Sequence, residues 1–302
     1  MKDEVKKKSS SRRSPRSSLI PPPSSLPSSR AKKSLGQNFL TDERVAARIV
    51  EALGPRADEA IIEIGPGQGA LTSRLLERAG RLFAVELDFN LAQGLREQFA
   101  ANSNFHLLEA DALATDFCAL IAPDKSARLV ANLPYNISTA ILQRLIRQRA
   151  CIPEMVLMLQ REVVERITAP PASTERGYLS VLVEAYCERE ALFDVAPQAF
   201  RPVPKIWSTV VRLTVCQRPA VEVEDEELLW RLVSAGFAQR RKTIFNNLRS
   251  ISGELSARLE KSGGPRPALE AAHIAPNRRA ETLTLEEWAA LARTIEQAED
   301  GR

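Results

Sequence analysis

Ala60-Ile61-Ile62-Glu63-Ile64-Gly65-Pro66-Gly67-Gln68-Gly69 decides the architecture of this chain. Its first half reads as a strand, and the glycine-rich turn closes it and opens the helical pattern of Leu71 to Ala79. Glycines at such a turn let the backbone approach a ligand, and the helix start presents unpaired N–H groups. A Gly-x-Gly-x-Gly turn alone marks many nucleotide binders, dehydrogenases included. The flanks narrow the choice. Asp42 to Leu53 reads as a helix, with Val45, Ile49, Val50 and Leu53 on one face and Asp42 as N-cap. Strands follow at Leu82 to Glu86, Phe105 to Glu109, Leu129 to Asn132 and Met155 to Leu159, with a helix at Leu91 to Phe99. Short strands alternating with helices imply a mostly parallel sheet covered on both faces, with ligands at the carboxyl ends of the strands.

Past Tyr178 the pattern changes. Tyr178 to Cys187 suits a helix, and Ala191 to Val195 and Trp207 to Val215 suit two strands, an antiparallel addition to the sheet edge. Beyond Pro219 and the acidic Glu222 to Glu227 the chain reads as wholly helical: Glu226–Ala238, Thr243–Leu248, Glu254–Glu260, Pro267–Ala272 and Leu285–Ile295. The expected division is a basic tail at 1–33, an α/β domain at 34–218 and a small all-helical domain at 219–302.

An apolar content of 44% and a charged content of 26% over 302 residues are those of a soluble globular protein. No apolar run approaches the ~20 residues of a membrane helix. The net charge of +4 hides an asymmetry: residues 1–33 carry ten Lys/Arg against Asp3 and Glu4, or +8, which leaves −4 on the rest. A nucleic-acid reading therefore rests on local clusters, the tail and Gln239-Arg240-Arg241-Lys242, where Arg240 to Lys242 would begin a helix. The Ser/Pro/Arg-rich stretch from Ser9 to Ser29 is expected to be disordered. Asp3 and Glu4 weigh against a transit peptide, and Leu19-Ile20 is too short for a signal sequence. Cys118, Cys151, Cys187 and Cys216 form no CxxC pair and His106 and His273 lie far apart, so unpaired core thiols, no metal site and a cytoplasmic location are expected.

Four successive strand ends carry chemistry. Gly65 opens the glycine turn, Glu86 offers a carboxylate to ribose hydroxyls, Asp111 an acceptor for an adenine amino group, and Asn132 begins Asn132-Leu133-Pro134-Tyr135-Asn136-Ile137-Ser138. In that last segment the Asn132 amide oxygen and a neighbouring carbonyl accept from an exocyclic NH2. Pro134 biases Leu133 towards extended backbone, and Tyr135 offers a face for stacking. Taken singly, Glu86 is a surface carboxylate, Asp111 a turn former and Tyr135 a core aromatic. An NAD-dependent oxidoreductase accounts for Gly65 and Glu86 but gives Asn132 to Tyr135 no task.

On these residues the chain resembles the KsgA/RsmA family, S-adenosylmethionine-dependent ribosomal RNA adenine dimethyltransferases with a Rossmann-like catalytic domain. The likeness includes Gly36-Gln37-Asn38-Phe39-Leu40, Val85-Glu86-Leu87-Asp88, Gln160-Arg161-Glu162-Val163, Val210-Val211-Arg212-Leu213 and Gln239-Arg240-Arg241-Lys242-Thr243. The resemblance implies a cofactor site of Asn38, Leu40, Gly65, Glu86, Asp111 and Asn132, and an adenine site of Asn132, Leu133, Pro134 and Tyr135. It implies N6,N6-dimethylation of two adjacent adenines near the 3′ end of small-subunit (16S) ribosomal RNA, linked to late subunit biogenesis. Arg240, Arg241 and Lys242 are expected to meet RNA phosphates, and the enzyme to act as a monomer, away from membranes and without metal. Two alternatives stay open: a large-subunit dimethyltransferase of the Erm type, and an assembly checkpoint acting mainly by binding. One departure stands out: after Phe200-Arg201-Pro202-Val203-Pro204-Lys205 the family usually has Val-Asp-Ser, whereas this chain has Ile206-Trp207-Ser208.

Overall fold

The computed structural model describes residues 37–135, 137–299 and 301. The expected tail, Gly36 and Asn136 lie outside them. The described residues form one compact unit.

The chain begins with β1 (Phe39–Leu40) and α1 (Glu43–Leu53), then alternates β2 (Ala60–Ile64), α2 (Thr72–Leu76), β3 (Arg81–Glu86), α3 (Phe89–Gln98), β4 (Phe105–Glu109) and α4 (Phe117–Leu120). It continues through β5 (Arg128–Asn132), α5 (Ser138–Arg147), β6 (Glu154–Gln160), α6 (Arg161–Thr168), α7 (Tyr178–Tyr186), β7 (Cys187–Val195), β8 (Phe200–Arg201) and β9 (Ser208–Val215). The remainder is helical: α8 (Glu226–Gly236), α9 (Ile244–Arg249), α10 (Glu254–Lys261), α11 (Pro265–Ala271) and α12 (Leu285–Glu299). As expected, Asp42 caps α1, its side chain accepting from the backbone N–H of Arg44 at 2.9 Å and of Val45 at 3.2 Å.

Seven strands form one sheet in the order β4-β3-β2-β5-β6-β9-β7. The first five are parallel, and β9 and β7 add antiparallel at the edge, as expected. β7 is longer than the sequence reading, starting at Cys187, with a register shift between Ala191 and Phe193. The order reverses between β2 and β5, which leaves a crevice at their carboxyl ends.

Why the strands read as unbroken apolar runs is visible in the two cores. Ile62, Ile64, Leu129, Ala131 and Leu157 enter one core, while Ile61, Val130, Val156 and Met158 enter the other. A strand with helices on both faces buries both sets of alternate side chains. α1, α2 and α3 cover the second face through Ile49, Leu53, Leu75 and Leu95. The first face is covered by α4 to α7, and its core runs without interruption into Leu228, Leu232, Leu248, Leu269 and Trp288 of the C-terminal helices.

Two readings are corrected. Arg240 to Lys242 do not begin a helix; they form the turn after α8, and Thr243 caps α9. Nor are all four cysteines thiols: Cys118 and Cys151 are joined, with an S–S distance of 2.02 Å. They lie 33 residues apart, beyond any spacing signal, and Gln148 brings α4 to the turn before β6 by accepting from the Phe117 N–H at 2.7 Å. Cys187 and Cys216 are free, and burial first, then the neighbouring Cys216, pushes the Cys187 thiol up to about 12.

Candidate active site

The crevice at the switch of strand order holds a pocket whose wall includes Asn38, Leu40, Gly65, Glu86, Asp111 and Asn132, all six of the expected cofactor residues. Leu133, Pro134 and Tyr135 line it as well. Residues far apart in sequence thus meet because each follows or ends a parallel strand, except Asn38 and Leu40. Those two are held by β1, which pairs antiparallel with β8, Leu40 against Phe200. The Thr41 N–H adds a bond of 2.8 Å to the Ala199 carbonyl.

The glycine turn is built for close approach. Gly65 and Gly67 have φ of 66° and 59°, the left-handed region that glycine adopts without penalty. At Gly67 a Cβ would sit 3.1 Å from the Phe39 ring. The Gly67 N–H donates to Glu86 Oε2 at 3.1 Å and the Asp88 N–H to Glu86 Oε1 at 2.9 Å. Each carboxylate oxygen keeps acceptor capacity beyond its one backbone partner. Burial raises the Glu86 carboxyl, and the Asp88 and Gly67 N–H groups oppose it. Behind it, fully buried Glu63 accepts from the Thr72 hydroxyl at 2.8 Å, and burial pushes it up to about 8.

Asp111 lies two residues past β4, exposed at the pocket wall, its carboxylate accepting from the Leu113 N–H at 2.8 Å. Leu87 and Leu113, next to Glu86 and Asp111, supply apolar walls. Sequence reasoning passed over both, although they follow the two acids by one and two residues. A pocket with apolar sides and two carboxylates at strand ends suits the flat base and vicinal hydroxyls of an adenosine group.

Asn132 ends β5 and donates from Nδ2 to the Asn38 carbonyl at 3.3 Å. That bond commits the amide nitrogen and leaves Oδ1 as the acceptor. The Leu133 N–H bonds the Met158 carbonyl at 3.2 Å, fixing the exit from β5 on its neighbour β6. Tyr135 is half-buried, and its hydroxyl is 2.8 Å from Ser208 Oγ, itself fully buried at the start of β9. Ser208 is a partner of the pocket wall that the sequence did not reveal. Burial raises the Tyr135 phenol, so it stays neutral.

The basic cluster is exposed, and one member is engaged: Arg240 donates to the Thr174 carbonyl. Arg241 and Lys242 make no ion pair among the described residues.

The chain as a whole is similar to known proteins. A profile of the family described as ribosomal RNA adenine dimethylase matches residues 28–296. The ribosomal RNA small subunit methyltransferase A of Chromohalobacter salexigens is 44% identical over 273 residues, covering 89% of this chain and 93% of that protein. The crystal structure of a dimethyladenosine transferase from Plasmodium falciparum superposes with a TM-score of 0.72 at 22% identity, over 87% of this chain and 98% of the other. The 23S rRNA methyltransferase ErmE superposes with a TM-score of 0.62 at 28% identity, over 86% of this chain and all of the other.

Proposed function

The chain belongs to the ribosomal RNA adenine dimethylase family, and from that premise we propose that it dimethylates N6 of two adjacent adenines in the 16S RNA of the small ribosomal subunit, using S-adenosylmethionine. The observation that carries the reading is one pocket holding both halves of the reaction: Gly65, Glu86 and Asp111 on the cofactor side, Asn132 to Tyr135 on the other.

Bound S-adenosylmethionine supplies an electrophilic methyl on sulfur. Asn38, Leu40, Gly65, Glu86, Asp111 and Asn132 would hold it, Glu86 at the ribose and Asp111 at the base. The adenine N6 lone pair is delocalised into its ring, so the amine is a weak nucleophile. Asn132 Oδ1 and the Leu133 carbonyl accept from its two hydrogens and favour the pyramidal nitrogen. Tyr135 stacks on the ring and, held by Ser208, fixes the line of attack. Positioning of this kind replaces a strong base, because the alkylated amine is acidic and releases its proton to water. The adenine reaches the pocket out of its stack. Arg241 and Lys242 of the α8–α9 turn meet RNA phosphates, with Arg240 tying that turn to the catalytic region.

Identities of 42% and 44% to ribosomal RNA small subunit methyltransferases A, over 92% and 93% of their lengths, support small-subunit RNA. The proposal includes action on a late assembly intermediate by a cytoplasmic monomer. Among the described residues no helix is long and apolar enough to cross a membrane. Transfer of labelled methyl to unmethylated small subunits, large subunits and free ribosomal RNA, side by side, tests it. Label on adjacent adenines near the 3′ end of 16S RNA is expected. Label on large-subunit RNA alone would move the protein to the Erm branch.

A further inference from the structure

Methyl transfer leaves the segment between β8 and β9 without a task. Val203, Ile206 and Trp207 are 53%, 39% and 48% exposed, three of the six large apolar side chains so exposed among the described residues. They fall within five consecutive positions. The indole sits on a fixed backbone: the Trp207 carbonyl accepts from the Arg161 N–H at 3.0 Å. The next residue, Ser208, pairs with Gln160 and Val195 on the two flanking strands and bonds Tyr135 at 2.8 Å. Trp207 is therefore one residue from the group that orients the adenine-stacking ring.

Charge selects the occupant. From Phe200 to Trp207 the chain carries Arg201 and Lys205, both exposed, and no acid. Arg161 is close by, though paired with Glu165 at 3.0 Å and near Asp194 at 3.7 Å. Arg201 also donates to the Gln198 and Phe200 carbonyls at 3.1 and 2.8 Å, and neither Arg201 nor Lys205 is in an ion pair among the described residues. An exposed aromatic face with two such cations in the same segment matches a single-stranded nucleic acid, whose bases stack while its phosphates meet the cations. Swinging one adenine into the pocket strips its neighbour of a stacking partner.

We propose that Trp207 is a platform for the unpaired base next to the target adenine, flanked by Ile206 and Val203, with Arg201 and Lys205 meeting its phosphates. This rests on the assignment of ribosomal RNA as substrate. Trp207→Ala raises KM for unmethylated small subunits about tenfold, the loss falling on KM rather than kcat. Its affinity for S-adenosylmethionine matches wild type, the sign of an intact fold. Trp207→Phe recovers most of the loss and Trp207→Asp deepens it. Ultraviolet cross-linking of wild type on small subunits leaves a nucleotide on the peptide carrying Trp207. An unchanged KM in Trp207→Ala overturns the proposal, as does a cross-link from that peptide to a ribosomal protein. Wild-type protein that methylates no subunit and no RNA overturns the substrate assignment itself, a result separable from a failure confined to Trp207.

Discussion

Three side chains fix how the pocket works, and each makes a distinct demand. Asn132 holds the Asn38 carbonyl with its nitrogen, and in the proposed mechanism its oxygen accepts from the reacting amine. Asn132→Ala removes both, and methyl transfer falls by about a hundredfold or more. Subunit pull-down should be retained, because the basic turn lies elsewhere; loss of both would tie binding to the pocket. In the proposed mechanism Tyr135 acts through its ring. Tyr135→Phe, which loses only the bond to Ser208, keeps activity within about tenfold, whereas Tyr135→Ala costs more through the lost stack. Steady-state kinetics on small subunits separates the two. Glu63 answers to pH. Its folded-state value of about 8 exceeds the ordinary 4.5, so the folded protein keeps a proton that the unfolded chain releases. Its contribution to stability is complete below about 4.5 and is lost as pH rises through about 8, by at most ~1.4 kcal/mol per unit. Glu63→Gln should flatten that decline in melting temperature measured from pH 5 to 8; parallel curves for the two proteins would refute it.

At the scale of elements, local space decides the sign of a substitution that propensity treats alike. Gly94 lies within α3 with nothing inside 4 Å of an added Cβ, so Gly94→Ala stabilises by about 0.5–1 kcal/mol. Gly236 closes α8, and a Cβ there would lie 2.3 Å from the ring of fully buried Trp288 and 3.0 Å from Ile244. Gly236→Ala therefore destabilises by roughly 1–3 kcal/mol. Thermal melts of the pair should move in opposite directions. The same contrast of local and distant causes explains what the sequence displayed. The parallel strands and most helices announced themselves through contiguous or periodic apolar residues. β1 and β8 did not: each is two residues long and exists only because the other is there. The Cys118–Cys151 link and the Tyr135–Ser208 bond were hidden for the same reason, being set by packing between segments with no shared period. Glu86 and Asn132 were legible because a parallel strand brings its last residue to a common edge. Asn38 and Leu40 were reached only through the family resemblance.

Taken as a whole, the molecule does not divide at the sheet's end as cleanly as its composition does. The core beneath α5 and α7 continues into α8 and α12, and Tyr186 of α7 donates to Glu226 of α8 at 2.8 Å. A fragment ending at residue 218 would bare the side of α7 that α8 and α12 pack against, and it should aggregate or bind hydrophobic dye instead of unfolding cooperatively. A soluble fragment with a sharp melt would show two independent domains. The basic turn gives a second test at this scale: Arg241→Ala with Lys242→Ala should lower the salt dependence of RNA affinity by a slope of roughly one to two, leaving the methylated positions unchanged.

The pairing of β1 with β8 also sets a schedule. A ribosome adding ~5–20 residues per second takes on the order of ten seconds to pass from Leu40 to Phe200. Throughout that interval the segment bearing Asn38 has been made but has no strand to lie against. The Asn38 and Leu40 wall of the pocket is therefore the last to be fixed on a nascent chain, and a product of premature termination before Phe200 is expected to hold methyl donor less well than its full-length counterpart.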